Sequence, residues 1–519
     1  MTEDLHSRPH SKAANAVLLG LALAFFLVEW LPAIIGPYGY FIDEFYYIAC
    51  SDHLALGYVD HPPLSIFLLR LVREAIGDSL PALRLVPSLA GAATVFVIGL
   101  TARRLGAGLF GQALAALAAM VGPVYHTVLS YYSMNPLGLL TWAVVFLILV
   151  EIERQHRPRL WLLLGVLAGL GLQNKHTFGL LLAALAVGLL LTRARRHLKD
   201  RRLWIGLALA FLLILPNLAW QAGHGWPSIE FYRNAQAYKN NPTAPLAVLA
   251  QQVLSFNPLA LPVWLGGLIF FLFTKRGRRY RHLGIAYLVL LILMMLGRQG
   301  RPDRIAGAYM ILFAGGGVLV GEALRRRCLR RLRWVYPVLL MLSGAALAPV
   351  GLPILQPETT ARYVAALGGV PQIEKGAGKQ AALPQWFADR MGWEELVSDV
   401  AAVSAMIEPR ERDRTVIVAP SYGQAGAIDL LGRGRDLPPA YATQNSYFHW
   451  GPPPDSADVV IIVGPFSEEG ARHYFEEVEL ARIHNCDWCM PWRDGIPIWL
   501  ARKPKVLWSD AWPELRSYE

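Results

Sequence analysis

A succession of long apolar runs constrains the fold of this chain more than any other feature. They fall at 16–35, 82–102, 109–127, 134–152, 160–173, 176–192, 203–222, 247–274, 282–297, 305–324 and 334–355. Most approach the roughly 20 residues that a helix needs to cross a bilayer. With 54% hydrophobic and only 17% charged residues in 519, the chain is too apolar for an ordinary water-soluble protein. The expectation is a polytopic α-helical membrane protein with about 11 spans, give or take two. The first run follows Arg8, His10 and Lys12 and has no small-residue cleavage site after it, so it reads as a retained helix and not a removed signal peptide. The stretch 160–192 is the weakest, because two short halves flank Asn174-Lys175-His176.

Charge tests the count independently. A net charge of +11 raises the question of nucleic acid, but the basic residues sit in short clusters between apolar runs, with no basic, aromatic-interleaved patch. With the N-terminus inside, the even-numbered spans end at Arg103-Arg104, at Arg154 to Arg159, and at 193–202, 275–281 and 325–333. All five basic clusters then lie on the cytoplasmic side, as the positive-inside rule requires. The loops expected outside are 41–81, Tyr125–Ser133, Asn174–His176, Gly223–Pro245 and 298–304. Only the last is strongly basic.

The chain changes character near Gln356. Residues 1–355 form the expected transmembrane domain with its outer-face loop 41–81, and 356–519 a soluble extracytoplasmic α/β domain with a parallel or mixed sheet. Trp393 to Ile407 has helical apolar spacing, while Thr415 to Ala419, Val459 to Val463 and Ile496 to Ala501 read as strands. Between them, SYGQAGAIDLLG (421–432) and NSYFHWGPPP (445–454) read as a strand-to-helix connection and a proline-rich turn. Four cysteines are too few for a disulfide framework. Cys486 and Cys489 form a C-x-x-C in which an oxidising compartment favours a local disulfide, and a zinc site lacks the further ligands it needs. Cys50 and Cys328 are expected to be unpaired.

The candidate chemistry sits just past the first span, in FIDEFYYIACSDHLALGYVDHPPL (41–64). Asp43, Glu44, Asp52, His53, Asp60 and His61 crowd there among aromatics and paired prolines at a predicted membrane surface, where charge is costly. Phe45 to Leu56 reads as a short interfacial helix that brings two acidic clusters onto one surface. A carboxylate in a partly desolvated pocket suits proton abstraction from an alcohol or amine. A solvated loop is the plainer alternative.

DEFYY followed by GYVDHPPL resembles the signature of the lipid-linked-sugar glycosyltransferases of the GT-C class, specifically the bacterial relatives of protein O-mannosyltransferases and of the aminoarabinose transferase that modifies lipid A. Lys175 in its QNKHTF context, the arginine-rich loop before a late span and the α/β tail support it. The resemblance implies a polyprenyl-phosphate sugar as donor and substrate, no nucleotide sugar, inverting transfer on the outer face of the plasma or inner membrane, and an envelope lipid, protein or glycan as acceptor. It implies Asp43 as the base, with Asp60 and His61 orienting acceptor or donor phosphate. Glu44 and Tyr46 stand beside them with no role assigned. No cofactor or metal is expected, because cations can stabilise the charge growing on the leaving phosphate. Lys175, Arg298, Arg301 and Arg304 suit that task, with snorkelling to headgroups as the alternative. Two departures are visible. Asn135-Pro136 replaces the family's frequent aspartate-proline, and GRQGRPDRIAGAYMILF (297–313) lacks the usual lysine and paired tyrosines. A transporter or lipid flippase and a scaffold protein whose tail binds cell-wall partners are the rival readings.

Overall fold

The computed structural model describes residues 8–155, 157–369 and 381–519. The side chains of Arg8 and His10, residue 156 in the basic stretch 154–159, and residues 370–380 of the tail lie outside what is described. Seven described helices are long and apolar enough to cross a membrane, and three more apolar stretches are helix pairs bent by more than 40°, for up to ten spans. The protein is a multi-pass membrane protein. The upper figure falls within the expected eleven, give or take two, and the lower one has physical reasons. Leu160–Asn174 has 15 residues, which at 1.5 Å each fall short of the roughly 30 Å hydrocarbon core. The run at 247–274 is broken by 90° where Pro258 interrupts the helix, and 109–127 bends by 64° before Pro123. Phe178–Leu190 turns through 107° into Arg193–Lys199, whose four basic side chains end the apolar segment.

Two compact units emerge from the packing. One comprises residues 1–36, 77–219 and 242–354. Its helices approach closely through small residues, the usual device where apolar lipid offers little drive for helix association. In Tyr309–Ala323, Gly316 lies against the Val263 backbone and Gly317 against that of Gly111, and a methyl on either would overlap its neighbour.

The second unit gathers residues 37–76, 220–241 and 355–519. It holds a five-stranded mixed sheet of order β2-β1-β3-β5-β4, from β1 (Thr415–Ala419), β2 (Ala440–Ala442), β3 (Val459–Val463), β4 (Phe475–His484) and β5 (Ile496–Pro504). The first three strands run parallel, and β5 is antiparallel to both β3 and β4. β1 and β3 are buried at every residue, which explains their unbroken β-branched runs. Helix Trp393–Ser404 forms as expected. Helix Ile42–Asp52 replaces the expected 45–56 helix, and Leu64–Ala75 adds an amphipathic helix within the expected outer loop.

Candidate active site

Helix Ile42–Asp52 begins with a backbone exchange. Glu44 N donates to Phe41 O at 2.8 Å, and the Glu44 carboxylate accepts from Phe41 N at 2.8 Å. Glu44 is buried and caps the helix that carries its neighbours. Asp43, half-buried, occupies the same first turn, where the helix dipole favours negative charge. Tyr422 OH donates to its Oδ1 at 3.0 Å.

One turn further on, Tyr46 OH donates to Asp60 Oδ1 at 2.8 Å. Burial first, and then the Asp60 charge, push the Tyr46 phenol well above its ordinary value, so it stays a donor. With that proton committed, Ser446 Oγ donates its own to Tyr46 OH at 2.8 Å and accepts from Val59 N at 3.2 Å. The Tyr46 and Tyr422 rings pack with centroids 4.6 Å apart. Asp43 and Asp60 are thus joined through two phenols in contact.

The loop that returns Asp60 is held along its backbone. Tyr58 N donates to His61 O at 3.1 Å, Gln221 Nε2 to Tyr58 O at 3.0 Å and Ser228 Oγ to Val59 O at 2.7 Å. His61 has no exposed surface. It is ringed by Tyr47, Tyr58 and Tyr46 at 4.7, 5.0 and 5.7 Å, with Nδ1 3.1 Å from Pro62 O and Nε2 3.9 Å from Asp60 Oδ1. Its position makes it a neighbour of Asp60.

The cationic residues belong to the other unit. Lys175 Nζ donates to Asn135 Oδ1 at 2.6 Å, so the asparagine that replaces an aspartate is the lysine's amide partner. Burial, reinforced by Arg301 and Arg304 and opposed by Asp303, pushes the Lys175 amine down to about 8. Arg301 grips Asp303 with two bonds of 3.3 and 3.2 Å, and Arg304 donates to Gln299. Lys175, Arg301 and Arg304 therefore share one electrostatic neighbourhood around Asp303. Arg298 stands apart in character: exposed, with φ of 51°, it is anchored by its carbonyl, which accepts from Thr243 N at 2.9 Å.

Tyr422, Ser446, Ser228, Gln221 and Asp303 were not singled out as site residues from the sequence. Tyr422 and Ser446 lie in the two turn-rich stretches read there as connections, and their polar character was the available signal. The C-x-x-C cysteines are free thiols, with Cys489 Sγ 3.3 Å from Cys486 O.

Over 93% of this chain and 97% of the other, the fold matches that of ArnT from Cupriavidus metallidurans, crystallised with undecaprenyl phosphate, with a TM-score of 0.57 at 14% identity. The chain has the GT-C membrane fold, with a small C-terminal sheet domain, as the motifs of 41–64 imply. Residues 60–220 match the family described as dolichyl-phosphate-mannose-protein mannosyltransferase, a segment that includes Asp60, His61, Asn135 and Lys175. The chain is 26% identical over 259 residues to the lipopolysaccharide core galacturonosyltransferase RgtB of Rhizobium johnstonii, covering 47% of this chain and 49% of that protein. It is 28% identical over 187 residues to the lipid A galacturonosyltransferase RgtD of the same organism, covering 36% and 39%. The chain spans about half the length, or less, of these curated relatives.

Proposed function

We propose that this protein is a glycosyltransferase that moves a sugar from a polyprenyl phosphate to an acceptor in the cell envelope, at the extracytoplasmic face of the inner or plasma membrane. The observation that carries the reading is the pair of carboxylates, Asp43 and Asp60, held by phenolic hydrogen bonds on a short helix and its return loop. Asp43 takes the proton of the acceptor hydroxyl as the new bond to the anomeric carbon forms. The old carbon–oxygen bond breaks with inversion, and polyprenyl phosphate leaves. Asp60 and His61 orient the acceptor, a task for which the loop's four backbone hydrogen bonds suit them. Lys175, Arg301 and Arg304 meet the negative charge that grows on the leaving phosphate. The step calls on no metal ion and no nucleotide sugar.

The first sugar to test is a uronic acid, since RgtB and RgtD are named as galacturonosyltransferases and the same cations suit a carboxylate. Neither the family match nor the structural neighbours lend support to transport. The decisive assay uses lipid-linked sugars extracted from the source cells as donor and membranes lacking the protein as acceptor. Asp43→Asn is expected to lower transfer by at least about 100-fold, the usual scale of a lost general base. A rate near that of the wild type would remove Asp43 from the role of base.

A further inference from the structure

We infer that the C-terminal domain completes the catalytic machinery, Tyr422 positioning the Asp43 carboxylate and Ser446 fixing the loop that carries Asp60. The inference rests on the reading of Asp43 as base and adds two residues that the motif of 41–64 does not contain. Neither contact follows from local sequence, for Tyr422 is 379 residues from Asp43 and Ser446 is 400 from Tyr46.

The placement of Tyr422 is set by backbone. Its N–H donates to Gln444 Oε1 at 3.1 Å, and Ser421 caps the helix Tyr422–Leu431 through Gln424 N at 3.3 Å. That helix lies directly on Ile42–Asp52. A methyl on Gly426 would stand 2.9 Å from Phe45 Cβ and 3.0 Å from its carbonyl atoms, and one on Gly423 would overlap the Ile42 side chain. Two helices this close leave the phenol little freedom, and its ring is further held against Tyr46. A hydrogen bond on Oδ1 fixes the rotation of the Asp43 carboxylate and favours its charged form, the form a base needs.

Ser446 is 2% exposed. Its Oγ links Tyr46 OH to Val59 N, and its own N–H reaches Tyr46 OH at 3.2 Å. A single serine therefore fixes both the phenol that holds Asp60 and the residue preceding Asp60. Its removal would leave the buried Val59 N–H without that acceptor.

The test is steady-state kinetics of the full chain in membranes, with the extracted lipid-linked sugars as donor. Tyr422→Phe is expected to lower kcat about tenfold, to leave the donor KM within about twofold, and to move the acid limb of kcat/KM to higher pH, because the charged carboxylate loses a donor. Tyr422→3-fluorotyrosine keeps the shape, strengthens the donor and should move that limb to lower pH. Ser446→Ala should lower kcat per folded molecule about tenfold, with a modest fall in the unfolding midpoint because the buried Val59 N–H loses its acceptor. An acid limb that stays in place in both Tyr422 variants overturns the inference, as does a loss of rate that only tracks a loss of folded protein. Failure of the base reading looks different, since Asp43→Asn would then keep its rate whatever the Tyr422 variants do.

Discussion

At the scale of single residues, Lys175 shows how one partner changes a charge. A lysine beside an aspartate keeps its proton well above neutrality, whereas Lys175 has the Asn135 amide and is pushed down to about 8 by burial. Its positive charge therefore fades as pH rises through about 8, where an exposed lysine would remain fully charged. The apparent donor KM is expected to climb roughly three- to tenfold between pH 7 and 9, the range over which most of that charge is lost. Asn135→Asp should carry the climb to higher pH, and Lys175→Arg should flatten it. A donor KM independent of pH in the wild type would show that Lys175 does not bind the donor through its charge. Glu44 shows the opposite case, a carboxylate in the motif whose visible work is to cap a helix. Asp43, Asp60 and His61 could be singled out as candidates from the sequence because they fall in one contiguous stretch, where charge beside a bilayer calls for an explanation. Tyr422 and Ser446 could not, because a phenol and a hydroxyl in a turn look alike whether they face water or a carboxylate several hundred residues away.

At the scale of elements, periodicity revealed what was buried on all sides and hid what was half-exposed. β1 and β3 have the bounds that their β-branched runs predict, since central parallel strands need apolar residues at every position. β4 escaped notice because Glu476, Glu477, Glu479 and Arg482 interrupt it, and charge of this kind is how an edge strand avoids pairing with other chains. Leu64–Ala75 has the apolar spacing of an amphipathic helix but reads as part of the outer loop because of the paired prolines before it. Their consequence is different, since a proline just ahead of a helix is well placed to start one. The contact between Ile42–Asp52 and Tyr422–Leu431 can be tested by volume. Gly426→Val should reduce the unfolding free energy by about 1–3 kcal/mol, the usual cost of overpacking a close contact, and lower kcat as the Tyr422 phenol is displaced from Asp43. An unchanged midpoint in a thermal or denaturant melt would mean that the helices do not pack as closely as 3.0 Å implies.

At the scale of the whole molecule, the apolar runs and the alternation of basic loops were enough to define a multi-pass chain. The count among the described residues runs from seven to ten because hydropathy does not register a bend, and three of the apolar stretches are bent helix pairs. The same alternation predicts that 325–333 lies inside and the tail outside, which labelling can decide. Cys328 is exposed in the first of these and Glu469 in the second. A membrane-impermeant maleimide added to intact spheroplasts is expected to label Glu469→Cys above the parent and to reach Cys328 only after permeabilisation. The reverse pattern would invert the topology and move the proposed site to the cytoplasmic face.

The second unit is assembled from three stretches far apart in the chain, 37–76, 220–241 and 355–519. Asn234 Nδ2 donates to Tyr518 O at 2.8 Å, which ties the middle piece to the last near residue 518. A ribosome delivers these pieces in order. The helix with Asp43 emerges early and must wait, without its partners, through the synthesis of nearly every span. Contacts of such long sequence separation form late and slowly, and a half-made chain in the membrane holds Asp43 before Tyr422 exists to orient it. On the proposed roles, a polypeptide arrested before residue 422 is expected to carry the motif without transfer activity.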